Sequence, residues 1–242
     1  MKRLSSAVIV GALMAGSLGV MPAQAATTIT TTGSSSTSGT PGNTRVFTGG
    51  TGTEAITVTA SAWSINGGSV STAYLGAYGN GLGVTNRREG NGSRGQHTID
   101  NGGSTDFVLL EFSRPVSLLS ALVSAYGDTD VTFASLSSAP VGPVMPLANF
   151  LGSVTSASSS FGGTASRSAV NGSTAFSSLW TVGALYPAND VRDAFKLRGV
   201  SVEAAAAVPE PSTWAMMLLG FGAIGGALRA RRTRGTVAFR FA

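Results

Sequence analysis

There is no cysteine among the 242 residues and only one histidine, His97. The first absence excludes a disulfide framework, a cysteine-ligated zinc or iron–sulfur site and a thiol nucleophile. The second excludes the usual zinc centre, which takes two or three imidazoles. Charge is also scarce, with only 11% Asp, Glu, Lys and Arg. What fills the chain instead is Gly, Ser, Thr and Ala, a composition that favours short strands and turns over long salt-bridged helices.

Negative charge is short overall, giving a formal net charge of +5. The surplus sits at the ends. Lys2 and Arg3 open the chain, and Arg229, Arg231, Arg232, Arg234 and Arg240 lie near its close. Between Ala26 and Pro211 there are nine basic residues against eleven acidic ones, a balance of −2. A nucleic-acid binder carries its basic surface on the folded domain, so nucleic acid is not expected as a partner.

The first residues read MKRLSSAVIVGALMAGSLGVMPAQAATT. A positive start, an apolar stretch from Ala7 to Val20 and the small residues of Ala23-Gln24-Ala25 meet the requirements of a secretory signal peptide. Pro22 ends the helix just before that site. Residues 1–25 are therefore expected to engage the Sec translocon and signal peptidase, with cleavage between Ala25 and Ala26.

The other end carries VPEPSTWAMMLLGFGAIGGALRARR, residues 208–232. Trp214 to Leu228 is uncharged, and at the rise of an α-helix it covers roughly 22 Å, close to a hydrocarbon core once snorkelling arginines extend it. Trp214 suits the outer interface, and the arginines after Leu228 suit the cytoplasmic side. A transmembrane helix over about 213–228 is expected. Prolines on both sides of Glu210 keep that residue in extended backbone, accessible to a protease.

The order Pro209-Glu210-Pro211, then Trp214-Ala215 and the apolar run, then Arg229, Arg231 and Arg232 resembles the PEP-CTERM sorting signal, in its PEPxxWA variety; the region is also known as the ice-binding protein C-terminal motif, a label that implies no ice binding. The resemblance covers about 27 residues, within a sorting segment set at residues 205–242. It implies a transient hold in the inner membrane of a Gram-negative bacterium, recognition and processing by an exosortase, and association with exopolysaccharide.

Between the ends, Glu54–Trp63 and Ser69–Tyr78 alternate in the period of a half-buried strand. Asp106–Ser113 (DFVLLEFS) and Val116–Tyr126 (VSLLSALVSAY) are the strongest apolar segments, the second readable as strand or helix. Val131–Leu136, Ser177–Val182 and Ala194–Val202 follow. This pattern predicts an all-β, antiparallel β-sandwich or jelly-roll-like domain over residues 51–204. Residues 26–50 read as a low-complexity Thr/Ser/Gly leader or, in part, a first edge strand. The phrases between Gly81 and Phe133 are similar to the extracellular β-sandwiches of other exported PEP-CTERM proteins.

The acids Asp100, Asp106, Asp128 and Asp130 fall in this middle part. Asp carboxylates are hard oxygen ligands of the kind that suits structural Ca²⁺, with Asp128 and Asp130 near one ion and Asp100 or Asp106 across the sheet. Turn-capping aspartates are the other reading. No other cofactor is expected. A glycosidase needs two facing carboxylates, for which Glu89 and Glu111 qualify by residue type alone. Serine chemistry would need His97 with Asp100 or Asp106, and no G-x-S-x-G elbow presents a serine. Trp63, Tyr74, Tyr78, Tyr126 and Trp180 are candidates for a sugar platform or for the core. The expected function is a non-catalytic, exosortase-sorted surface or matrix protein associated with exopolysaccharide. Carbohydrate binding is the expectation beyond that, and a secreted glycan-active hydrolase is the alternative.

Overall fold

The computed structural model describes residues 25–93, 97–188, 191–205 and 211–233. Its strands are β1 (Thr27–Thr30), β2 (Thr44–Gly49), β3 (Ile56–Asn66), β4 (Ser69–Tyr78), β5 (Gly81–Thr85), β6 (Ile99–Asp100) and β7 (Thr105–Ala125). They continue with β8 (Val131–Leu136), β9 (Val144–Pro146), β10 (Val154–Ser160), β11 (Arg167–Val170), β12 (Ser177–Ala184) and β13 (Ala194–Ala204). Two α-helices accompany them, α1 (Leu147–Ser153) and α2 (Pro211–Thr233). All strand pairings are antiparallel.

The all-β reading is what the described residues show, but in one sheet rather than the two facing sheets of a sandwich. Following the pairings β13–β5–β4–β3–β7 and back to β13 closes a five-stranded barrel. Closure removes the exposed edges that an open sheet would leave. The seam between β5 and β13 is the narrowest of the ring, with Leu197 paired to Leu82 alone. Gly81 makes this possible: its φ is +120°, and a Cβ there would sit 2.6 Å from the Leu197 carbonyl.

β7 is the spine. Its first half, residues 107–112, pairs with β3 on one side and β12 on the other. Its second half pairs with β13 and β11. Val108, Leu110 and Phe112 point into the main core, while Phe107 and Leu109 point into a second apolar cluster on the opposite face. With both faces covered, DFVLLEF has no alternation to show, as expected of a doubly buried strand. Farther along, the core residues change parity, from Val116 and Leu118 to Ala121 and Val123. The register jumps there, with Leu119 the extra residue between the pairs Leu118–Val202 and Ser120–Ser201. A β-bulge at Leu119 keeps both halves apolar-side-in. Arg198 plays the same part in β13, exposed between core residues Leu197 and Val200.

VSLLSALVSAY is therefore strand from Val116 to Ala125, with Tyr126 just past its end. The stretch read as a leader or a first edge strand contributes two strands: β1 pairs with β13 and β2 with β3, with Ile29 fully buried. The short helix α1 was not expected, because seven residues are too few for a helical period to emerge. It lays Phe150 on Phe107, ring centroids 5.1 Å apart, and covers the second cluster.

Candidate functional site

The expected sorting residues divide between described and undescribed parts. Residues 1–24, with Ala23, lie outside the described residues, as do Pro209 and Glu210. Ala25 and Ala26 are described and exposed, immediately before β1. Pro211 opens α2, which carries Trp214, Ala215 and Arg229 and runs on through 231 and 232; the side chains of Pro211, Arg231 and Arg232 lie outside the description. Over Ser212–Ala230 the helix has a mean hydropathy of 1.2, and none of it is buried against the rest of the chain. Met216, Leu218, Leu219 and Phe221 are each at least 66% exposed. A helix apolar all round and covered by nothing meets the length and composition of a membrane span.

The four aspartates expected as metal ligands do not gather around one point. They fall into two groups, each completed by an acid that the sequence reading did not place there: Glu89 with Asp100 and Asp106, and Asp128 and Asp130 with Asp193. Within each group the carboxylate oxygens lie within 4.8 Å of one another.

In the first group the oxygens are well supplied with donors. Asn86, in the turn after β5, donates its Nδ2 to both oxygens of Asp106 at 3.1 Å. The backbone N–H of Asn86 reaches Glu89 Oε2 at 2.7 Å. Asp100 accepts from the Gly102 amide at 2.8 Å and from Thr98 Oγ1 at 3.1 Å, and pairs with Arg192 at 3.3 Å. Asp100 and Asp106 are completely buried. Burial, and then the neighbouring Glu89, hold the Asp106 carboxyl well above the usual range. Burial likewise pushes Glu89 up to about 7; the Asn86 amide opposes this and Asp100 adds to it.

The second group joins the β7–β8 turn to the residue preceding β13. The backbone holds the two elements through a parallel bridge between Asp128 and Asp193. Asp128 Oδ1 accepts from the Thr129 amide at 2.7 Å, and Asp130 Oδ1 from the Gly162 amide at 2.6 Å. Asp193 Oδ2 accepts from Asn101 Nδ2 at 2.6 Å and from the Leu185 amide at 3.1 Å. Asp193 Oδ1 is buried and takes no hydrogen bond of regular geometry. Burial pushes the Asp193 carboxyl up to about 6, opposed by the backbone N–H groups of Leu185 and Asp130 and reinforced by the charges of Asp130 and Asp128. Asp193 escaped the sequence reading, although its place, an acid directly before the strand AFKLRGVSV, was the signal that would have found it.

The remaining candidates resolve individually. Glu111 is exposed on β7, in register with Thr59 and Leu179, far in the ladder from Asp106. His97 is half-buried, its Nδ1 2.8 Å from the Gly92 carbonyl and its ring 5.1 Å from that of Tyr78. Trp63, Tyr74 and Trp180 are buried. Tyr78 and Tyr126 flank the Lys196 ammonium, 3.6 and 5.2 Å from their ring centroids. The five rings thus form no common platform. A cavity of about 280 Å³ opens instead on the face of the second cluster, among Phe107, Phe150, Val154, Thr105, Thr181 and Tyr186.

Comparison with known proteins bears on one end of the chain. Residues 207–232 match the family model described as the PEP-CTERM protein-sorting motif. No curated protein and no solved structure matches the chain. The motif implies recognition by an exosortase and sorting to the cell surface, and with the apolar helix it indicates a transient hold in the membrane before export.

Proposed function

From a chain that carries a PEP-CTERM protein-sorting motif, we propose a non-catalytic surface or matrix protein that accompanies exopolysaccharide. The observation that carries this reading is the match over residues 207–232 together with the bare apolar helix of Ser212–Ala230. In this account the N-terminal signal takes the chain through the inner membrane of a Gram-negative cell, and α2 stops it there. The exosortase then meets Glu210 between its two prolines. The β-barrel domain is the part delivered outside, and exopolysaccharide is its proposed partner.

A hydrolase fits less well. Glu89, Asp100 and Asp106 are close enough for acid–base work, but two of the three are fully buried and their oxygens are held by Asn86, Gly102, Thr98 and Arg192. In that group a substrate would have no carboxylate pair to reach.

The test is Glu210→Ala in a host that has the exosortase. The variant is expected to accumulate in the membrane fraction with α2 attached, while the unmodified chain leaves it. Equal distribution of the two between fractions would overturn the reading.

A further inference from the structure

We propose that Asp128, Asp130 and Asp193 bind a divalent cation of the calcium class, which clamps the β7–β8 turn to the segment entering β13. Two independent observations carry this. The first is the convergence itself: three carboxylates from two distant parts of the chain present oxygens within 4.8 Å of one another, with Asp130 and Asp193 buried. The second is the orphaned oxygen. Asp193 has no accessible surface, yet its Oδ1 takes no hydrogen bond of regular geometry. A buried carboxylate oxygen that no well-formed hydrogen bond serves is costly, and a cation is the partner that suits one belonging to a group of three carboxylates.

The surroundings are consistent with that use. The ion pairs drawn by the described residues, Arg114–Glu54 and Arg192–Asp100, involve neither Asp128 nor Asp193. Arg167 comes near but spends its guanidinium elsewhere, on the Thr129 carbonyl at 2.8 Å, Thr129 Oγ1 at 3.1 Å and Ser160. It therefore fixes the backbone between two of the ligands, Asp128 and Asp130. One oxygen of each aspartate is anchored by a backbone or side-chain N–H, which orients the carboxylates before any ion arrives. Asp128 is only half-buried and leaves the site open to solvent. An all-oxygen, triply anionic site with an open side suits calcium, which takes six to eight oxygen ligands including waters. The first carboxylate group differs in this respect, because Arg192 and Asn86 already serve it.

The inference concerns the barrel and holds whether or not the chain is sorted; export explains only where calcium would be met. The experiment uses the full chain in detergent, stripped with EDTA and titrated with CaCl₂ by calorimetry and by thermal melting. Saturable binding is expected with a dissociation constant on the order of 0.1–1 mM, the range of extracellular modules, and with a rise in Tm. Asp193→Asn should weaken binding at least tenfold, while Asp106→Asn in the other group should leave it unchanged. Circular dichroism checks that each variant is folded, and if Asp193→Asn does not fold, the half-exposed Asp128→Asn decides by the same criterion. No heat and no shift in Tm at about 10 mM CaCl₂, well above that range, would overturn the proposal. So would a folded Asp193→Asn or Asp128→Asn that binds like the unmodified chain, or binding abolished by Asp106→Asn instead.

Discussion

Asn101 and Asp193 clasp each other in both directions: Asn101 donates its Nδ2 to Asp193 Oδ2 at 2.6 Å, and its Oδ1 accepts the Asp193 backbone N–H at 2.9 Å. The contact spans 92 residues of sequence and ties the loop after β6 to the start of β13. Asn101→Ala would leave a buried carboxylate oxygen and a backbone amide short of partners. A loss of about 2 kcal/mol is expected, within the range for unsatisfied buried groups. Urea denaturation of the full chain in EDTA measures it, and an unchanged midpoint would contradict the role given to the clasp.

The carboxylates around Asn86 give the protein an unusual pH dependence. Glu89 is raised from 4.5 to about 7 by burial, and Asp106 is raised well above 3.8, with Asp100 as the neighbouring charge and Arg192 opposing it at Glu89. The folded state thus holds protons that the unfolded state has released. Stability from these groups is fully present below about pH 4 and is lost as pH rises toward and through 7. The urea midpoint should accordingly fall between pH 5 and pH 8 in EDTA, and Glu89→Gln should flatten that fall. A midpoint that rises over the same interval would contradict the assignment.

Trp180 anchors the outer half of the sheet. It is fully buried in the main core, and its Nε1 donates to the Val116 carbonyl at 3.0 Å. Trp180→Ala removes the largest fully buried side chain and takes this donor away from the Val116 carbonyl. A cost of about 3–5 kcal/mol is expected from the cavity, read as a lowered urea midpoint. A loss below about 1 kcal/mol would mean that the core collapses to fill the site.

Gly81 tests the closure of the barrel. Alanine there would have to hold a φ of +120° and push its Cβ against the Leu197 carbonyl at 2.6 Å. Gly81→Ala is expected to cost about 2–4 kcal/mol, while Gly79→Ala, with nothing within 4 Å, should cost far less. Equal effects would show that β5 and β13 do not approach as closely as described.

The C-terminal motif was legible because it rests on a local string: prolines around an acid, an apolar run and arginines in fixed order. The strands were legible where one face meets solvent, as in EAITVTASAW. They were ambiguous where both faces are buried, as in DFVLLEFS, or where a bulge at Leu119 breaks the alternation of VSLLSALVSAY. Barrel closure was not legible, because it depends on which strands pair and not on any one strand's pattern. The acidic groups show the same limit. Asp128 and Asp130 are neighbours in sequence, but Asp193 joins them only through the pairing of Asp128 with Asp193.

The central claim, that the C-terminal segment is a processing address, is tested most directly by the intact mass of the chain isolated from its host with and without the exosortase. The account predicts a species that begins at Ala26 and has lost Ser212–Ala230 when the enzyme is present, and one that keeps this helix when it is absent. The same mass from both strains, with the helix retained, would contradict it.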